Sequence, residues 1–166
     1  MSTINYATER LSLPHASGMR FGIVVARWNR HITRALEEGA VQTLKTAGVS
    51  EEDMLVRYVP GSFELTAAAQ WMIEYGKVDA VIAIGCVIQG ETPHFTYICQ
   101  NIANGFAQLT VKYNGFPVIF GVLTVNTLEQ ALARAGGEVG NKGAEAAETA
   151  IRMIELHREM QRMIAE

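Results

Sequence analysis

Ala80-Val-Ile-Ala-Ile-Gly-Cys-Val87, continuing to Ile88, is the longest apolar run in the chain. A strand with one wet face alternates polar and apolar residues, whereas an unbroken run of this length belongs to a parallel strand covered on both faces. This segment is therefore expected at the centre of a sheet. Two further runs precede it, Arg20-Phe-Gly-Ile-Val-Val-Ala26 and Met54-Leu-Val-Arg-Tyr-Val59, and one follows, Pro117 to Thr124. Helical patterns fill the gaps. The first covers Ile32 to Ala47, with Ala35, Leu36, Ala40, Thr43 and Leu44 on one face and Gly48 as the residue that ends it. Others span Phe63 to Tyr75, closed by Gly76, and His94 to Tyr113, stopped by Asn114-Gly115. Thr127-Leu-Glu-Gln130 has the capping-box pattern for a short helix to Ala135, ended by Gly136-Gly137, and Asn141 caps a last helix to Ile164.

Strand and helix alternate four times, through connections too long for hairpins. The pattern predicts a single α/β domain over residues 1–166: a three-layer αβα, flavodoxin-like fold with a four-stranded parallel sheet and helices on both faces. Residues 1–19 contain strand-like pieces, Ile4 to Tyr6 and Arg10 to Leu13, but no helix of their own. They are expected to pack on a neighbouring subunit.

Composition narrows the function. The 166 residues are 49% hydrophobic and 19% charged with 4 prolines, which excludes a disordered or collagen-like chain. Lys and Arg number 14 against 17 Asp and Glu, a net charge of −3 that argues against a nucleic-acid coat or a basic membrane binder. No apolar run approaches the ~20 residues that cross a bilayer, and the first nineteen residues lack a secretion-signal pattern, so a cytoplasmic location is expected. Cys86 and Cys99 form no CxxC and have no clustered histidine. Neither zinc nor a disulfide is expected, and both read as buried, reduced thiols.

In a parallel α/β sheet the ligand site lies outside the carboxyl ends of the strands, where loops converge and helix N-termini present free N–H groups. Those segments are Arg27-Trp28-Asn29, Pro60 to Glu64, Gly85 to His94, and Thr124-Val125-Asn126. Trp28 offers a flat face to a planar ring or packs over the sheet end. Ser62 and Glu64 stand where capping alone accounts for them, and Phe63 between them is core or stacking surface. Gly90-Glu91-Thr92-Pro93 opens a helix and makes a phosphate seat, with His94 beside it for proton transfer. His15, His31 and His157 lack such surroundings. Lys142 opposes the helix dipole in a first turn, so an anion nearby is expected to hold it there. Arg134, at a helix C-terminus, suits the dipole already. No P-loop and no GxGxxG is present. These residues describe a small-molecule site with an aromatic platform, a phosphate seat and one histidine, and they leave the reaction open.

Five segments taken together carry a family resemblance: Ala26-Arg-Trp-Asn29, Val59-Pro-Gly-Ser-Phe-Glu-Leu65, Gly85-Cys-Val-Ile-Gln-Gly-Glu-Thr-Pro-His-Phe95, Phe120-Gly-Val-Leu-Thr124, and Glu129-Gln-Ala-Leu-Ala-Arg-Ala-Gly136 with Gly140-Asn-Lys-Gly143. In this order they resemble the lumazine synthases of riboflavin biosynthesis. The resemblance implies condensation of 5-amino-6-(D-ribitylamino)uracil with 3,4-dihydroxy-2-butanone 4-phosphate to 6,7-dimethyl-8-ribityllumazine, phosphate and water, without cofactor or metal. It implies that Trp28 stacks on the pyrimidine, that Ser62, Phe63 and Glu64 hold the uracil and ribityl groups, and that backbone from Val87 and Ile88 completes the pocket. Gly90, Glu91, Thr92 and Arg134 would hold the phosphate, His94 would act as acid and base, and Phe120 and Lys142 would stand on the neighbouring subunit's side. It further implies a homo-oligomer, a pentamer with a sixty-subunit icosahedral shell as the larger assembly, and riboflavin synthase as a candidate partner. The chain departs from the family pattern at Thr66, Gln89 and Thr96 and carries Trp28 where phenylalanine is commoner. A flavin- or ribityl-binding protein and a catalytically weak shell-forming homologue are the alternatives.

Overall fold

The computed structural model describes residues 12–165. Four strands form one sheet: β1 (Phe21–Ala26), β2 (Met54–Val59), β3 (Ala80–Ile88) and β4 (Val118–Val125). All are parallel, in the order β2-β1-β3-β4. The apolar run that begins at Ala80 is thus an inner strand, buried from Ala80 through Cys86.

Five helices cover the sheet: α1 (Arg30–Thr46), α2 (Leu65–Tyr75), α3 (His94–Lys112), α4 (Leu128–Arg134) and α5 (Lys142–Ala165). Alternate side chains of a strand point to opposite faces, and they sort here into two cores. Phe21, Ile23, Val25, Ile82 and Ile84 pack with Ile32, Leu36 and Leu44 of α1, Ala131 of α4 and Ala147, Ala150 and Ile151 of α5. Val24, Ala26, Val81, Ala83 and Val122 pack with Leu65, Ala69 and Met72 of α2 and Ile102, Phe106 and Leu109 of α3. Helices therefore lie on both faces, and the three-layer flavodoxin-like arrangement read from the sequence is the observed one.

Local chemistry sets the ends of these elements. Gly48, at φ +92°, lets α1 close with Val49 N donating to the Leu44 carbonyl and Gly48 N to that of Lys45, both at 3.0 Å. Thr127 Oγ1 accepts the Gln130 amide at 3.3 Å, while the Gln130 side chain reaches back to the Asn126 amide at 2.8 Å. Asn141 Oδ1 accepts the amides of Gly143 and Ala144 and its Nδ2 donates to the Ala35 carbonyl, so one side chain both caps α5 and ties it to α1.

The structure adds to these expectations. After α4, β5 (Ala135–Gly137) and β6 (Gly140–Asn141) pair as a short antiparallel ribbon. Of the N-terminal segment, residues 12–19 lie against their own chain, with Ala16 and Met19 buried, Leu13 against the core and the Ala16 amide bonded to the Ala47 carbonyl. The packing on a neighbouring subunit expected of this segment falls on residues 1–11, which hold Ile4 to Tyr6 and the start of the Arg10 to Leu13 piece and lie outside the described residues. Cys86 is buried, and burial raises its thiol pKa to about 11, whereas Cys99 is only half-buried.

Candidate active site

At the carboxyl ends of β1, β2 and β3 the backbone continues the ladder by one step on each side. Arg27 N donates to the Val59 carbonyl (2.9 Å) and Trp28 N to that of Pro60 (3.2 Å), while Gln89 N donates to that of Val125 (2.8 Å). The first two bonds join the connections after β1 and β2, and the third joins the connection after β3 to the end of β4.

Trp28 is 73% exposed, far too open for a residue that merely plugs the sheet end, so its ring face is available to a ligand. Phe63, at 51%, is likewise surface rather than core. Phe63 is the middle residue of a 3₁₀ turn, Ser62–Glu64. Its capping differs from expectation. Glu64 does cap, accepting the Gly61 amide at 2.9 Å, but Ser62 caps nothing. The Ser62 hydroxyl is buried and finds no hydrogen-bond partner among the described residues. A buried unpaired hydroxyl costs about 1–3 kcal/mol unless something satisfies it, and here it lies at the sheet end where a ligand is expected. Gly85 makes the approach possible: a Cβ there would stand 2.7 Å from Ser62 Oγ and 3.0 Å from Leu65 Cδ1. Asn101 of α3 steadies the turn by donating to the Phe63 carbonyl at 3.2 Å. Thr66 does more than open α2, since it packs against bare Gly105 of α3, where a Cβ would meet its Oγ1 at 2.5 Å.

Beyond β3, Gln89 through His94 are exposed and His94 is the first residue of α3. No side chain caps this helix, so its first-turn amides and the positive end of its dipole face outward. Val87 and Ile88, half-buried, lead into that loop.

Phe120, Arg134 and Lys142 belong to elements other than these connections. Phe120 pairs in register with Ala83, four residues and about 13 Å before Thr124 at the strand end. Its ring is 44% exposed and meets Phe106 edge-on at 5.8 Å. Arg134 closes α4 with its guanidinium on the Gln130 carbonyl at 3.1 Å. Lys142 opens α5, and the anion that holds it is the chain's own: both Glu145 oxygens lie within 2.9 Å of its Nζ. The dipole argument alone thus requires no ligand at Lys142.

Asn29 was singled out only as part of its loop. It sits at φ 56°, ψ 46° at the head of α1 and its Nδ2 donates to the Cys86 carbonyl at 3.0 Å. An asparagine between a strand and a helix was the available signal, because asparagine tolerates this left-handed conformation. Asn101, in mid-helix, gave none.

The sequence profile of the 6,7-dimethyl-8-ribityllumazine synthase family matches residues 18–158. The chain belongs to this family. A 6,7-dimethyl-8-ribityllumazine synthase from Phocaeicola vulgatus is 54% identical over 151 residues, 91% of this chain and 89% of the relative. Others from Bacteroides fragilis and Porphyromonas gingivalis are 57% and 55% identical over 137 and 148 residues, which are 82% and 89% of this chain and 95% and 91% of theirs. As a lumazine synthase, the protein is a transferase of riboflavin biosynthesis and catalyses the condensation that yields 6,7-dimethyl-8-ribityllumazine. None of the described helices is long and apolar enough to cross a membrane.

Proposed function

We propose that the condensation takes place at the carboxyl ends of β1, β2 and β3, completed by a neighbouring subunit. The observation that carries this is the buried, unpaired Ser62 hydroxyl beside exposed Trp28 and Phe63. Trp28 stacks on the pyrimidine, the segment Ser62-Phe63-Glu64 and the backbone of Val87 and Ile88 hold the uracil and ribityl groups, and the uncapped head of α3 with Gly90, Glu91, Thr92 and Arg134 takes the phosphate. Gly90 supports that assignment, since a Cβ built on it meets nothing within 4 Å and its bareness serves no contact inside the chain. Anions bind well where helix N–H groups and a guanidinium converge.

With both reactants held in place, much of the entropic barrier is removed before chemistry begins. The uracil's 5-amino nitrogen attacks the ketone carbon and water leaves to give an imine. The proton on the hydroxyl-bearing carbon and the phosphate then depart to leave an enol, which takes a proton at its terminal carbon to become a methyl ketone, and the ribitylamino nitrogen closes the ring on that new carbonyl with loss of a second water. His94, exposed at the phosphate seat, receives and returns these protons. His94→Gln is expected to lower turnover about a hundredfold with little change in either KM, as befits loss of an acid-base group. Steady-state lumazine formation, corrected for the spontaneous reaction, checks this; an unchanged turnover would remove His94 from the mechanism.

Phe120, about 13 Å before the end of its strand, fits such a site from a second copy, which supports a shared site closed by that copy's Phe120 and Lys142. The open edge of β2 supports it too. Leu55, Tyr58, Trp71 and Tyr75 line a groove of about 330 Å³ there, with Trp71 and Tyr75 largely exposed. An unpaired edge beside exposed aromatics fits strand addition by a neighbour's N-terminal segment. The proposed assembly is a cytoplasmic pentamer, and the absence of a long insertion between Arg134 and Lys142 favours sixty subunits in a shell, with riboflavin synthase as the partner that consumes the product. Solution mass measurement is expected to give pentamer or sixty-mer; a monomer that makes product at full rate would contradict the shared site.

A further inference from the structure

An aromatic platform selects its ligand only when its distance from the hydrogen-bonding groups opposite is fixed. The Trp28 turn is joined to β2 by two backbone bonds, Arg27 N to the Val59 carbonyl and Trp28 N to the Pro60 carbonyl. Toward β3 the described hydrogen bonds include a single side-chain tie, from Asn29 Nδ2 to the Cys86 carbonyl at 3.0 Å. Asn29 is well suited to it. Its left-handed backbone lets its carbonyl accept the Ile32 amide (2.9 Å) and the Thr33 amide (3.1 Å), opening α1, while the side chain spans to the neighbouring strand. Cys86 is followed directly by Val87 and Ile88.

We infer that Asn29 is a positioning residue whose carboxamide sets the spacing between the Trp28 platform and the Val87–Ile88 backbone, and with it the affinity for a single pyrimidine ring. This rests on the assignment of Trp28 as the pyrimidine platform. A ring stacked on Trp28 and bonded to the Val87–Ile88 edge must satisfy both at once. Without the tie the turn stays anchored to β2 but is free to shift against β3, and ordering it then weakens binding. The phosphate seat hangs on a different connection, anchored by the Gln89–Val125 bond, and is indifferent to the change.

Two substitutions isolate the donor. Asn29→Gly keeps the positive φ without strain and removes the side chain. Asn29→Asp keeps the shape, but the carboxylate that replaces the carboxamide cannot donate, and the head of α1 favours its ionised form. Binding of the ribitylaminouracil to the full-length protein is measured by calorimetry at pH 8 and pH 5, for wild type, Trp28→Ala and both Asn29 variants. Asn29→Gly is expected to bind roughly five- to tenfold more weakly at both pH values, the loss of one hydrogen bond's worth of order. Asn29→Asp is expected to be as weak at both pH values, with KM for the butanone phosphate unchanged in both variants. Wild-type binding by Trp28→Ala would overturn the platform assignment itself. Weak binding by Trp28→Ala beside wild-type binding by Asn29→Gly would overturn the inference alone. Wild-type binding by Asn29→Asp, or equal losses for both substrates, would also overturn it.

Discussion

Gly143→Ala is expected to destabilise the protein by about 3 kcal/mol or more, lowering Tm by roughly 6–12 °C for a chain of this size. A Cβ at Gly143 would lie 1.9 Å from the Leu36 carbonyl oxygen and 2.8 Å from its Cα. Both are backbone atoms of α1, so no side-chain rotamer relieves the clash and the two helices must separate. Separation is expensive. It pulls the Asn141 carboxamide away from the Ala35 carbonyl and opens the packing of Leu36 against Ala146, Ala147 and Ala150 in the same core. Calorimetric melting at matched protein concentration checks the value, since assembly makes Tm concentration-dependent. An unchanged Tm would show that α1 and α5 are not in contact at this depth.

Arg134→Ala is expected to raise KM for the butanone phosphate ten- to a hundredfold, equivalent to about 1.4–2.7 kcal/mol, while leaving the affinity for the ribitylaminouracil intact. The guanidinium offers a planar fork to a phosphate, and among the described residues it donates to the Gln130 carbonyl at the end of α4. Arg134→Lys should recover part of the loss, because it restores charge but not the fork. Turnover should fall as well, since negative charge grows on the departing phosphate. Steady-state kinetics with each substrate varied separately decides the matter; equal effects on both KM values would place Arg134 outside the phosphate seat.

How far these features were legible in the sequence depended on whether their cause was local. Ala80 to Ile88 announced a buried strand because burial on both faces leaves no polar positions, and Gly48 announced a helix end because few other residues accept φ +92°. The β5–β6 ribbon was not legible: three residues against two carry no periodicity, and its pairing depends on where α4 and α5 place its ends. In the site, Trp28, Phe63 and His94 were found as residues of the right kind after strands. Their exposure was not, because the same sequence is compatible with a ring turned into the core. Ser62 was misassigned as a cap for a related reason. A serine before a helix ordinarily caps it, but Glu64 takes the Gly61 amide and the close approach of bare Gly85 draws the hydroxyl inward. The opposite error occurred at Lys142, where the anion inferred from the dipole was Glu145, three residues along the same helix.

The most direct measurement is a crystal structure of the protein with 6,7-dimethyl-8-ribityllumazine bound. The proposed site requires the ring system against Trp28, the ribityl chain along Ser62, Phe63 and Glu64 with the Ser62 hydroxyl satisfied, and Phe120 and Lys142 of a second copy closing the far side. Product bound in the Leu55–Trp71–Tyr75 groove, or at the strand ends with no neighbouring subunit in contact, would contradict it.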